Sequence, residues 1–454
     1  MVLGGRDSRG ILFWHRFGTR AVAAVIALAA AGCATAPGRV RHLPAYEHPL
    51  PAAGIKVPYP ILLLPGLGQK ADVWNGAAAR YYSQRLRLSF GGEIEPGGTA
   101  SNQSLPRGDY YTVRFSQPYG AIDTWAAEIG SAIERVRAGT GADRVILIGY
   151  SMGGLAARAY LVSRGLDHHV RRLVTIGTPH LGSAFARVWT WRDRLSRCAA
   201  DAGIVVRPLC SVSLQALLGV QGDTPFDAPA VRDLRRPEDG GQYLQRLNRS
   251  GHPLDVEYVS VVGEVDIIDE AQKLGKLALA EPLRRLLSVS GDGPGELLEP
   301  GDGVVSAESQ DVMNVEFFRA DPLRRRAART VRIDSLHVRH LQQTIEVQRV
   351  GLEERVKLRD VTLYRRGDAA VLAIDFADYV PHQCTVSVTS AGQGRREQTL
   401  LPEREPTLIV TPDGIVARSL VAIKEPTSQR TERERLHVTV RNTFGYTAER
   451  TVEW

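Results

Sequence analysis

The stretch 146-ILIGYSMGGLAARAY-160 sets Ser151 between Gly149 and Gly153. An apolar run precedes the serine and a helix-favouring run follows it, so Ser151 falls where a strand becomes a helix. Glycines two before and two after remove Cβ atoms that would collide in so sharp a turn, and the hydroxyl is left standing above the sheet. A serine held this way can attack an electrophilic carbon. At its free pKa it is a weak nucleophile, so it needs a base, a group to orient that base, and donors for the developing oxyanion. The N–H of Met152 supplies one donor. The other is expected from the loop after the first strand, 65-PGLGQ-69, where Gly66 and Gly68 allow close backbone approach and Leu67 contributes its N–H. Eleven histidines and fifty acidic residues leave base and acid open at this point.

The surrounding pattern explains how such a turn could be held. Apolar runs at 60–66, 109–115, 144–150, 170–180 and 255–265 read as strands, with 329–334 as the last of the set. Helical spacing fills 73–90, 121–141, 152–164 and about 338–350, and 91–108 reads as a long loop. Nearly all-apolar strands alternating with helices predict a parallel sheet covered on both faces. Residues 181–253 interrupt the alternation. They carry Trp189, Trp191, Cys198 and Cys210 and read as a lid-like insertion over the serine. From 356 the period changes to two, in segments such as 369-AAVLAIDFA-377 and 436-LHVTVRN-442, which predicts an all-β, sandwich-like second domain over 356–454. The first domain spans 59–355.

Four segments in this order, PGLG, GYSMGGLAARAY, TIGTPHLGS and GDGVVS, make residues 59–350 resemble bacterial lipases and esterases of the α/β-hydrolase superfamily. The resemblance implies carboxylic-ester hydrolysis through an acyl-enzyme, with the triad in the chain order Ser, Asp, His. By its Asp-Gly-Val-Val motif it implies Asp302 as the acid, with Asp266 at the end of a predicted strand as the rival. The order rule then implies His337, between the last strand and the next helix, as the base. His340 lies three residues on and is the alternative. His180 in TPHLG is expected to be structural, and His382 belongs to the second domain. Neither metal nor cofactor is required. Some related lipases hold a calcium through an aspartate soon after the catalytic histidine; Val338 and Arg339 stand there, so no such ion is expected. Transfer of the acyl group to an alcohol uses the same residues, and a hydrolase fold turned into a surface-binding lipoprotein is the non-enzymatic alternative.

The N-terminus carries Arg6, Arg9, Arg16 and Arg20, then 21-AVAAVIALAA-30 and Gly32-Cys33. This layout is that of a secretory signal over 1–32. The residues 30-AAGC-33 resemble a lipobox, with Ala30 where leucine is usual, so Cys33 is the expected lipid attachment point and 33–58, rich in proline and alanine, the tether. Ala34 suits outer-membrane sorting in a Gram-negative cell. Of the net charge of +7, about +4 remains beyond residue 32. That small excess suits an anionic surface, and no nucleic-acid motif appears, so no nucleic acid is expected as a partner. The ester or lipid substrate is what the resemblance implies, and the membrane surface what the lipobox implies. In an exported chain Cys198 and Cys210 are expected to pair, leaving Cys384 a lone buried thiol.

Overall fold

The computed structural model describes residues 38–39, 43–49, 54–95, 105–183, 228–265, 300–337, 340–341, 345–367, 369–391, 398–412, 414–423 and 435–453. The expected signal segment, Cys33, Asp266, the Cys198–Cys210 pair and most of the lid-like insertion lie outside them. After a short N-terminal strand β1 (Gly38–Arg39) come seven strands: β2 (Ile61–Leu64), β3 (Phe90–Ile94), β4 (Tyr110–Val113), β5 (Val145–Tyr150), β6 (Val170–Ile176), β7 (Glu257–Gly263) and β8 (Ala328–Ile333). They form one sheet in the order β3-β4-β2-β5-β6-β7-β8. Every neighbouring pair is parallel. β2, β4 and β5 are buried at every position, as strands covered on both faces must be.

Helix α1 (Ile122–Thr140) lays Ile122, Trp125, Ile129, Ile133 and Val136 on one face of the sheet beside α2 (Met152–Arg164). On the other face, Trp74, Tyr82 and α4 (Ile345–Leu352) pack over Ile61, Ile148, Val174 and Val261. α3 (Gln242–Arg249) belongs to the described part of the insertion and buries Leu244 and Leu247 against the α1 side. β3 is a strand where the sequence reads as loop. Its glycines hide the pattern: Gly91 lies where a Cβ would strike the ring of Tyr111, so the edge strand fits only without side chains there.

The second domain has eight strands besides β1: β9 (Lys357–Arg366), β10 (Ala369–Ala377), β11 (Thr385–Ala391), β12 (Gln398–Leu400), β13 (Thr407–Thr411), β14 (Gly414–Ile423), β15 (Arg435–Arg441) and β16 (Thr447–Glu453). One sheet runs β1-β16-β15-β11-β12 and the other β13-β14-β10-β9. Their inner faces share a core of Leu363, Leu372, Ile374, Phe376, Val388, Val421, Leu436 and Val438, which makes a sandwich. The chain is thus an α/β-hydrolase sheet followed by an antiparallel all-β domain.

The two domains share a packed seam. Tyr379 and Val380 join the core of the parallel sheet. The Arg172 guanidinium, buried, lies 4.3 Å over the Tyr379 ring, pairs with Glu257 at 2.7 Å and donates to the Gly351 carbonyl at 3.0 Å. Asn442 Nδ2 donates to the Glu354 carbonyl at 2.7 Å and to Asp378 Oδ2 at 2.8 Å. Cys384 is a free thiol, half-buried rather than fully buried. Burial pushes the Asp378 carboxyl up to about 6, against the pull of Asn442 and the Val380 amide. The folded state therefore keeps this proton to higher pH than the unfolded chain, and stability falls as pH rises from about 4 to about 6. Asp378→Asn removes the ionisation. Its stability relative to wild type should improve by about 2–3 kcal/mol between pH 4 and pH 7, read by urea unfolding; an unchanged difference would refute the assignment.

Candidate active site

β5 ends at Tyr150 and α2 begins at Met152, so Ser151 occupies the turn between them. Its φ of 50° and ψ of −124° lie in a region that side-chain-bearing residues seldom enter. Two close approaches hold it there. A Cβ on Gly149 would come within 2.5 Å of the Gly154 nitrogen, and one on Gly153 within 2.5 Å of the Pro65 carbonyl oxygen. The Ser151 amide donates to the Ile176 carbonyl at 2.8 Å, tying the turn to the end of β6. The loop 65–69 lies against the serine: a Cβ on Gly66 would sit 3.0 Å from Ser151 Cβ. The Gln69 side chain closes that loop by accepting from the Gly66 amide at 3.0 Å. Leu67 is half-buried and Met152 fully buried. Met152 opens α2, where backbone N–H groups have no partner within the helix.

Asp302 and His337 come from segments beyond β7 and β8 and meet at the same edge of the sheet. The Gly301–Ser306 turn is pinned to β7 by Gln310, which accepts from the Gly263 amide at 2.7 Å and donates to the Gly263 and Val305 carbonyls. Within it Asp302 Oδ1 accepts from the Val304 and Val305 amides at 3.0 and 2.8 Å. That is the self-closing turn expected of an aspartate between glycines. Oδ2 remains, and two imidazoles share it: His337 Nδ1 at 2.7 Å and His340 Nε2 at 2.9 Å. All three residues are buried. Burial alone would raise the Asp302 carboxyl, but His337 and His340 together outweigh it and hold the group well below the usual carboxylate range. An ionised carboxylate only accepts, so both facing nitrogens carry hydrogen. His337 is then the Nδ1–H tautomer, and its Nε2 lone pair is left for a proton from elsewhere. Burial lowers the pKa of His340, against the pull of Asp302. Its only free nitrogen, Nδ1, is sealed in the interior with no partner among the described residues.

Gly177, at φ 58°, makes room for the group. A Cβ there would fall 2.9 Å from His340, 3.0 Å from His337 Nδ1 and 3.1 Å from Asp302 Oδ2. Tyr150 joins serine turn and histidine. Its hydroxyl donates to the His337 carbonyl at 2.8 Å, and the two ring centroids are 5.0 Å apart. Sequence reasoning had no signal for that contact. Asp302, His337 and His340 are also the one trio of metal-type donors that converge among the described residues. Each facing nitrogen is engaged as a donor to the carboxylate, which fits a hydrogen-bonded cluster.

His180 is elsewhere. Its Nδ1 lies 3.0 Å from Nη1 of Arg158, a guanidinium on α2 that is completely buried. Arg158 also reaches His252 Nε2 and Asn248 Oδ1, while Asn248 Nδ2 donates to the His180 carbonyl. Since arginine only donates, both ring nitrogens facing it must be bare, and both histidines are neutral. Burial and then the Arg158 charge push His180 well below its ordinary value and His252 down to about 3. The expected structural part for His180 matches this setting. His382 donates to the Leu86 carbonyl at the domain seam.

A family model described as a PGAP1-like alpha/beta domain matches residues 58–192, from the start of β2 through the serine turn to the end of the described TPHLGS segment and beyond. This is an α/β-hydrolase fold. Similar solved structures include the mature form of the lipase BlEst2 from Bacillus licheniformis, 18% identical, with 66% of this chain and 90% of that one covered at a TM-score of 0.37. The phospholipase PlaB from Legionella pneumophila is 13% identical, with 88% and 89% covered at a TM-score of 0.35. The chemistry of the site rests on its own geometry.

The buried Arg158 cation depends on its acceptors. Asn248→Leu removes one of them and leaves the His180 carbonyl without its donor. Loss of about 3 kcal/mol in urea unfolding is expected, and a loss below about 0.5 kcal/mol would contradict the network.

Proposed function

We propose that the chain hydrolyses carboxylic esters through Ser151, His337 and Asp302. The observation that carries this reading is the 2.7 Å contact between His337 Nδ1 and the ionised Asp302, buried at the same sheet edge as the strained Ser151 turn. His337 Nε2 takes the Ser151 hydroxyl proton as Oγ attacks the ester carbonyl, and the Leu67 and Met152 N–H groups hold the oxyanion. Collapse of the tetrahedral adduct breaks the carbon–oxygen bond to the alcohol, which leaves with the proton from His337. Water, deprotonated by the same nitrogen, attacks the acyl-Ser151, and the acid departs as Ser151 regains its proton. Asp302 stays ionised and stabilises the transient imidazolium.

His340 completes this arrangement as a positioning residue. Its N–H shares Oδ2 of Asp302 with His337 and so fixes how the carboxylate meets His337 Nδ1.

We further propose that Cys33 carries lipid and that the protein is an outer-membrane lipoprotein of a Gram-negative bacterium. The support is the charged, apolar, small-residue order of 1–33. No described helix is long and apolar enough to cross a membrane. The insertion 181–253, as a lid, would cover the serine.

Nitrophenyl esters of graded chain length test the reaction. Ser151→Ala and His337→Ala should each lower kcat by roughly 10⁴-fold or more; turnover unchanged by Ser151→Ala would exclude the mechanism. His340→Phe should lower kcat by roughly tenfold with KM within about twofold, and His340→Gln, which can still donate to Asp302, should restore most of the loss. A kcat unchanged in His340→Phe, or not recovered in His340→Gln, would exclude the positioning part.

A further inference from the structure

The second domain and the active site sit at opposite ends of the parallel sheet. Ser151, Gly177 and the segments carrying Asp302 and His337 all follow carboxyl ends of strands, namely β5, β6, β7 and β8. The seam with the second domain is made at amino ends: Tyr59 just before β2, Arg171 and Arg172 near the start of β6, and Glu257 opening β7. The strands between these edges are up to seven residues long, about 20 Å.

The sandwich also has a near and a far end. Its near end holds Lys357, Ala377, Arg441 and the 442–446 turn, where Asn442 and Tyr446 bond to Glu354 and Glu353. Pairing of β9 with β10 and of β15 with β16 puts Arg366 with Ala369 and Arg435 with Glu453 at the opposite end, another strand length away. Residues 38–39 and 43–46, a few positions beyond Cys33, dock at this far end. Gly38 and Arg39 pair in parallel with Val452 and Glu453. Ala45 pairs with Arg365, with the Arg365 amide donating to Pro44 at 2.9 Å and the Tyr46 amide to Arg365 at 3.0 Å. Leu43 packs into the sandwich core. Cys33 precedes Gly38 by five residues, a reach of at most about 18 Å. The β9–β10 tip beside this docking site exposes Arg365 and Arg366, charges suited to an anionic headgroup surface.

We infer that the far end of the sandwich is the face held against the bilayer, and that the active-site edge points away from it. The ester substrate then comes from the aqueous side, and lipids of the anchoring membrane are not drawn into the site. The β-domain is the spacer that sets this orientation. The inference rests on the proposed lipidation of Cys33.

The full-length lipidated protein in phosphatidylethanolamine–phosphatidylglycerol vesicles tests it. Arg366 and Lys70, both exposed, are replaced in turn by a fluorescent unnatural amino acid, and energy transfer to an acceptor-labelled headgroup lipid is measured. Transfer from position 366 should clearly exceed that from position 70, which lies beside the Leu67 loop; equal or reversed transfer would overturn the inference. Turnover of nitrophenyl butyrate should be within twofold for the anchored protein and soluble Cys33→Ala. Turnover of a lipid ester placed in the same vesicles should gain less than about twofold from anchoring. A gain of tenfold or more would place the mouth at the bilayer and overturn it. Cys33→Ala still floating with vesicles would remove the anchor and the inference with it. Absence of ester turnover with transfer from 366 still exceeding that from 70 would refute the hydrolase reading and uphold the orientation.

Discussion

The turn at Ser151 exists because two neighbours lack a Cβ. Gly149 lies against the Gly154 amide and Gly153 against the Pro65 carbonyl, each with no space for a methyl group. Those contacts fix how closely α2 approaches the ends of β2 and β5, and so fix where the serine stands. Everything else at the carboxyl edge is arranged around that point. The Leu67 loop comes from β2, the Ile176 carbonyl that anchors the Ser151 amide from β6, and the Tyr150 hydroxyl that holds the His337 backbone from β5 itself. A strained residue persists when its surroundings over-determine it, and these ties come from three different strands.

A second demand follows from burial. An ionised carboxylate in a dry interior is tolerated only when every lone pair is occupied. Asp302 meets this with two amides of its own turn and two imidazoles. The turn chemistry and the proton chemistry of one aspartate are therefore divided between its two oxygens. On the other side of α2, Arg158 meets the matching demand for a cation with neutral acceptors from His180, His252 and Asn248. These groups fasten α2 to the segment after β6 and to α3.

What could be read from residue order reflects which forces act locally. The serine turn was legible because the two residues that must lack a Cβ, Gly149 and Gly153, stand two positions either side of Ser151. The parallel strands were legible because two-sided burial makes each an unbroken apolar run. β3, with Gly91 and Gly92, and the short β12 and β13 were not, because their apolar signal is weak or brief. The meeting of Asp302 with His337 had been expected only through the resemblance in motif order; no local pattern joins residues 35 apart. The shared use of Asp302 by His340 was missed, since spacing alone placed His340 as a rival base. Nor does composition show that residues 38–39 and 44–46 pair with the second domain, because those bonds are made by backbone groups that any sequence carries.

Ser151 is proposed to be a nucleophile activated by His337. Covalent labelling with a fluorophosphonate, mapped by peptide mass spectrometry, tests it without assuming any substrate. A single adduct is expected on the peptide carrying Ser151, formed at least about a hundredfold more slowly in His337→Ala. Labelling of another residue, or unchanged labelling of Ser151 in that variant, would contradict it.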